Sequence, residues 1–309
     1  RFCKDCNIPL KLFYEPYFSE RIKLFDAFYG TVNKWRLFVS ELEKYNCEQD
    51  YFEEYNRVKD LAISSIKGTE AYLKFNEEDM NKFAVTHKNL PGKDIFNPSN
   101  NGKLFISIDM RKANFSSLHE YDSTMFGEAN TWEEFISKFT NSKHITNSKY
   151  IRQVILGNCN PKRHITYEKY LMDQTLSLLL DLFDEKNIVF FSNDEIIFDV
   201  TAENDLSQLI HLKDRVADQL NTKSKIPFRV ELFSLHKING TDGYYKKIYR
   251  ENGDYGIDFK CLNNYMIPFV FRLFLSEEIT ENDKVFYHEG LLAKFIDVPN
   301  IETNDKMNS

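Results

Sequence analysis

Three acidic side chains in two short stretches have the residue type and setting for metal-assisted chemistry. In KLFISIDMRKANFSSLHEYD, residues 103–122, an apolar run leads straight into Asp109; in FFSNDEIIF, residues 190–198, Asp194 and Glu195 sit between two apolar runs. A carboxylate that ends a strand is poor core design unless it has work to do. Carboxylates held within a few ångströms of one another raise each other's pKa, and divalent cations relieve that repulsion. Mg²⁺ takes one or two carboxylates together with substrate phosphates, and Mn²⁺ has similar ligand preferences. Two such ions ~3.5–4 Å apart activate an attacking hydroxyl and stabilise a leaving oxygen. The backbone carbonyl of Met110 would be a further ligand. The plainer reading of Asn193-Asp194 is ordinary turn chemistry.

The elements that must bring these residues together follow from periodicity. Residues 9–85 carry apolar side chains at helical spacing (Phe18, Ile22, Phe25, then Trp35, Phe38, Leu42), which predicts a helical N-terminal region. The Pro-, Gly- and Asn-rich stretch near 87–103 marks a boundary. Beyond it come a strand (103–109), short helices, a long helix over TYEKYLMDQTLSLLLDLFDEK, a hairpin about SNDE, a second helix opened by Asn204 or Asp205, and a strand over PFRVELFSLHKI. That order is β-α-β-β-α-β, a split ferredoxin-like arrangement whose first and third strands are adjacent. The expected fold is therefore α+β: a helical region over 1–90, a ferredoxin-like domain over 91–240, and a β-rich C-terminal extension over 241–309 with a disordered tail. In this arrangement Asp109 lies beside the turn that holds Asp194 and Glu195.

Basic residues supply the complementary charge. Lys162, Arg163 and His164 open the long helix, Lys169 follows two turns later, and Arg152 and Lys149 lie on the preceding helix. Cations at a helix start suit a triphosphate or a nucleic-acid backbone. Lys112 is a further candidate for phosphate contact. Downstream, Tyr244, Tyr245, Lys246, Lys247 and Arg250 interleave aromatic and basic side chains, which can stack bases and hold phosphates. Ordinary edge-strand packing explains the same residues.

Composition sets limits. The net charge of −7 excludes a general polyanion binder, so any nucleic-acid contact must use a local basic groove. No apolar run is long enough for a membrane span, and the first residues lack the apolar core of a signal peptide, which points to an intracellular protein. Abundant Lys, Asn, Ile, Phe and Tyr suggest an AT-rich genome, viral or phage. The five cysteines are not a disulfide framework. Cys3 and Cys6 form one CxxC, half of a zinc knuckle or a redox pair, with no second CxxC to complete it.

The acidic motifs resemble those of palm-domain polymerases. IDMRKANFSSL is similar to motif A of reverse transcriptases through Asp109, Ala113, Phe115 and Ser116, and FFSNDEIIF resembles motif C, with Asp194 and Glu195 standing where that family has two aspartates. The turn is also similar to that of tRNA-His guanylyltransferases and, more loosely, of diguanylate cyclases. The resemblance covers about residues 103–240. It implies a nucleotidyltransferase that adds nucleotides to a nucleic-acid 3′ end with two Mg²⁺ or Mn²⁺ on Asp109, Asp194 and Glu195. Nucleic acid and a nucleoside triphosphate would be its partners, with Asn114 and Phe115 near the incoming nucleotide. Asn114 replaces the aromatic with which reverse transcriptases exclude ribose. A shifted register would set Asn193 and Asp194 against the two aspartates and leave a dead site. The glycine-containing motif B is missing, with LGNCNPKRHITYEK in its place. These departures leave an alternative: a degenerate palm serving as a binding or scaffold subunit of a larger nucleic-acid-processing complex. A third reading, an RNase H-like nuclease, would need its acidic residues on other elements.

Overall fold

The computed structural model describes residues 1–10, 14–203, 205–251 and 253–301. The Asn204 cap and the tail beyond residue 301 therefore lie outside the described residues. The chain opens with α1 (Phe2–Asp5), α2 (Tyr17–Leu24), α3 (Asp26–Tyr29), α4 (Thr31–Leu42), α5 (Glu48–Lys67) and α6 (Glu70–Glu77). The first strand, β1 (Leu104–Met110), leads into α7 (Ala113–Tyr121), α8 (Trp132–Ser137), α9 (Lys143–Asn147), α10 (Lys149–Gly157) and α11 (Pro161–Leu179). There follow the hairpin β2 (Ile188–Phe191) and β3 (Glu195–Asp199), α12 (Leu206–Lys223), β4 (Phe228–Lys237), β5 (Tyr244–Tyr249) and β6 (Tyr255–Lys260). The chain continues through α13 (Ile267–Phe274), β7 (Val285–His288) and β8 (Leu291–Lys294). The protein is α+β.

The strand order of the larger sheet is β2-β3-β1-β4-β5-β6, so the first and third strands are neighbours. Strand β1 is buried on both faces from Phe105 to Ile108. The backbone bonds Leu235 N–H to Lys103 O (3.0 Å) and Arg111 N–H to Pro227 O (2.9 Å) set an antiparallel β1/β4 register that faces Asp109 with Arg229.

Residues 113–116 form the first turn of α7. Lys112 is left-handed (φ 51°) and turns the chain sharply, and Ser116 Oγ then donates to the Arg111 carbonyl at 2.6 Å. The long helix α11 begins at Pro161, whose missing N–H costs nothing at a first helical position, and it ends at Leu179 rather than continuing to Lys186. Asp205 caps α12, its carboxylate accepting from the backbone of Ser207 and Gln208.

The chain divides into two compact units that are not consecutive in sequence. Unit 1 comprises 1–7, 36–93 and 106–232, and unit 2 comprises 8–35, 94–105 and 233–309, of which the described residues reach 301. The division passes through the helical region expected as one body over 1–90. The reason is visible in unit 1: α5 buries Tyr51, Tyr55, Val58, Ala62 and Ile66 on one stripe, and α10 packs against it. Asp5 of α1 is buried within the same unit and accepts from Tyr55 Oη (3.2 Å) and Ser148 Oγ (2.8 Å), with the His144 ring at 3.0 Å. In unit 2, α13 adds a helix to what the sequence suggested was a β-rich extension, burying Phe269, Val270, Phe271 and Phe274. Among the described residues no helix is long and apolar enough to cross a membrane.

Candidate active site

The acidic edge is assembled by β1 and the β2–β3 turn. The Met110 N–H donates to the Asp194 carbonyl at 2.8 Å, so the end of β1 and the turn are in direct backbone contact. Along β1, Ile108 and Met110 are buried while Asp109 is half-buried; along β3, Ile196, Ile197 and Phe198 are buried while Glu195 is half-buried. Ser192 organises the turn. Its hydroxyl donates to Asp194 Oδ1 (2.9 Å) and accepts from the backbone N–H of Asp194 (3.2 Å) and of Glu195 (3.0 Å).

Two features of this edge escaped sequence reasoning. Arg229, across from Asp109 on β4, donates from Nε (3.1 Å) and Nη2 (2.8 Å) to Asp109 Oδ2, and its Nη1 lies 3.5 Å from Glu231. The second is Glu168 on α11, only 4% exposed, which accepts from Asn193 Nδ2 at 2.7 Å. Burial pushes the Glu168 carboxyl up to about 7, and the charge of Asp194 adds to that, against the opposing hydrogen bond from Asn193. A glutamate on the apolar stripe of α11, three residues before Leu171 and seven before Thr175, was the available signal. Arg229 left no such mark, because only the strand register sets it opposite Asp109.

The basic candidates are mostly engaged elsewhere. Lys112 Nζ donates to Glu133 at 2.6 Å. Arg163 donates from Nε to the Phe75 carbonyl (3.0 Å) and from Nη2 to the Glu78 carbonyl, with its guanidinium beside the Phe75 ring; it ties α11 to the end of α6. Arg152 is half-buried, and burial lowers its pKa despite the nearby Glu133. His164 is buried, which drives its ring down to about 4. Lys162 and Lys169 are exposed on α11, and Asn114 is half-buried in the first turn of α7. Phe115 belongs to the core, with ring centroids 4.7 Å from Phe126 and 6.1 Å from Trp132.

In unit 2, Tyr244 and Lys246 are buried, 3% and 5% exposed, so neither presents a nucleic-acid surface. Lys246 Nζ lies 4.3 Å from the Phe233 ring centroid and Lys247 Nζ 4.3 Å from that of Tyr255. The aromatic–basic alternation is taken up by contacts within the sheet. Cys3 is buried in α1, and burial raises its thiol pKa. Among the described residues no group of three or more His, Cys, Asp or Glu side chains is arranged to hold a metal ion.

The structure thus brings Asp109, Met110, Asp194 and Glu195 to one edge and engages Lys112 and Arg163 in other contacts, while Arg152 Nε is buried without a hydrogen bond among the described residues. No protein-family model matches the sequence, and no curated protein matches it.

Proposed function

We propose that the chain is a palm-type nucleotidyltransferase acting at the edge formed by Asp109, Asp194 and Glu195, with a ferredoxin-like βαββαβ core. The observation that carries this reading is the 2.8 Å bond from the Met110 N–H to the Asp194 carbonyl, which joins two acidic segments far apart in sequence. The strand order β2-β3-β1-β4 supports it, as it is the order such a core requires.

The donors suit Mg²⁺ or Mn²⁺ in chemical type, being hard carboxylate oxygens. Asp109, Asp194 and Glu195 would hold the ions, which when bound would neutralise the carboxylates and activate a hydroxyl for attack on a phosphate. The chain's own residues set the conditions for that. Arg229 neutralises Asp109 and must release it to a cation; its side chain is 52% exposed and so has room to turn away. Ser192 fixes the backbone of the turn, and Glu168 holds Asn193 beside it. Lys162 and Lys169 are the exposed cations on α11 available for phosphate or nucleic-acid backbone.

Incorporation of labelled nucleotides onto a primer, dependent on Mg²⁺ or Mn²⁺ and reduced at least 100-fold by Asp194→Ala, is the expected result; the order of magnitude is that of losing an electrostatic catalytic group, about 10²–10³. Absence of incorporation across templates and nucleotides would defeat the reading. Two observations favour the alternative, a degenerate palm acting as a binding or scaffold subunit: the Arg229 guanidinium occupies Asp109, and among the described residues the three carboxylates are not grouped as metal ligands. Mn²⁺ titration followed by electron paramagnetic resonance separates the two. A competent edge binds Mn²⁺, and Arg229→Ala tightens that binding; a decayed edge binds none in either protein.

A further inference from the structure

Unit 2 holds a pocket of about 600 Å³, separate from the acidic edge and a few times larger than a buried side chain. Arg21 of α2, Phe25 just beyond it, Asn263, Asn264 and Tyr265 ahead of α13, and Phe286 of β7 are among its walls. This is the make-up of a small-molecule site: mostly apolar and aromatic, with a few polar groups to orient the ligand.

Each polar group has a definite capacity. The Tyr265 and Phe286 rings stack face to face, centroids 4.2 Å apart and planes 12° from parallel, and Phe295 packs beside the pair, 5.0 Å from Phe286 and 6.4 Å from Tyr265. Such a wall suits a flat heterocycle, since every nucleobase has a π-face. Arg21 is ion-paired but under-bonded: the Glu20 and Asp283 carboxylates face its charge, while its Nη1 makes no hydrogen bond among the described residues. Its neighbour Glu20 is taken by Arg272, which also binds Glu277 (2.6 Å) and Asp283 (3.1 Å). Glu20 therefore stands 3.6 Å from Arg21 Nη1, and that nitrogen is buried without a hydrogen bond among the described residues. A buried guanidinium donor lacking an acceptor is costly, and an anionic ligand group removes the cost once the side chain turns to meet it. Asn263 and Asn264 are exposed amides at the same pocket, and a side-chain amide offers a donor and an acceptor side by side, the complement of the adenine N6/N7 edge.

We infer that this pocket binds an adenine mononucleotide, with the ring against the Tyr265–Phe286 stack, the base edge read by Asn263 or Asn264, and the phosphate on Arg21. The inference does not rest on catalysis at the acidic edge.

Isothermal titration of the full chain with adenosine monophosphate, adenosine, guanosine monophosphate and inorganic phosphate tests it. The expected result is one adenosine monophosphate site, weakened at least tenfold by Arg21→Met, with adenosine affinity unchanged by that substitution. Phe286→Leu weakens both ligands, and Asn263→Leu with Asn264→Leu erases the preference for adenine over guanine. Asp109→Asn, at the other site, leaves adenosine monophosphate binding as it was, so a failed polymerase assay does not obscure the result. The inference is overturned if adenosine monophosphate gives no heat at millimolar concentration, or if its affinity survives both Arg21→Met and Phe286→Leu. Equal binding of guanosine monophosphate by the unsubstituted chain would overturn the adenine assignment.

Discussion

Two buried carboxylates on one helix have opposite titration behaviour. Burial raises Glu168 to about 7, so the folded state binds its proton more tightly than the unfolded chain between the ordinary glutamate value and about 7. Its contribution is favourable at low pH and is lost as pH rises through about 7. Glu168→Gln keeps an acceptor for Asn193 and removes the charge, so it is expected to gain about 2 kcal/mol relative to the unsubstituted protein at pH 8 and to lose that advantage near pH 5. Urea melts of both proteins at the two pH values measure the difference. Asp173, one and a half turns further along α11, is the reverse case. Burial alone would raise its pKa, but donors from Thr86 and His87 outweigh that and hold it below the usual aspartate range. Its contribution is present at neutral pH and lost as pH falls below that range. Sequence gave no means of telling these two apart. Both lie on the buried side of α11, and what separates them is the partner each meets from a remote segment.

At the scale of elements, Asp173 shows how α11 holds the segment that precedes β1. Its carboxylate accepts from Thr86 N–H (2.9 Å), Thr86 Oγ1 (2.7 Å) and His87 N–H (2.9 Å), with His87 Nδ1 also at 2.9 Å. Asp173→Ala removes the buried acceptor that exposed Thr86 and half-buried His87 share and is expected to cost about 1–2 kcal/mol, read as a lower denaturation midpoint with an unchanged urea slope. The elements themselves were largely legible. The β2–β3 hairpin, the capped α12 and the adjacency of β1 and β3 follow from period-2 and period-3.6 patterns with turn residues between them. The roles of charged side chains were not. Lys162 and Arg163 are neighbours in sequence with the same charge, yet Lys162 is exposed while Arg163 satisfies two backbone carbonyls. Periodicity reports which face a residue occupies, and carries no record of an unpaired carbonyl brought up by another helix.

For the molecule as a whole, the interleaved units decide what can be cut away. Unit 1 draws on residues 36–93 as well as 106–232, so a fragment of residues 91–240 lacks α5 and its buried tyrosines. That fragment is expected to show no cooperative thermal transition by circular dichroism, whereas the full chain shows one. The same interleaving bears on how a ribosome makes the protein. Residues 8–35 emerge before the rest of their unit, with Phe18, Ile22, Leu24 and Phe25 destined for burial. The greater part of their unit starts at residue 233, roughly 200 residues later, which at about 5–20 residues per second is a wait of ~10–40 s. For that time Phe25 and Phe28 lack the Phe271 ring on which both pack in the folded chain.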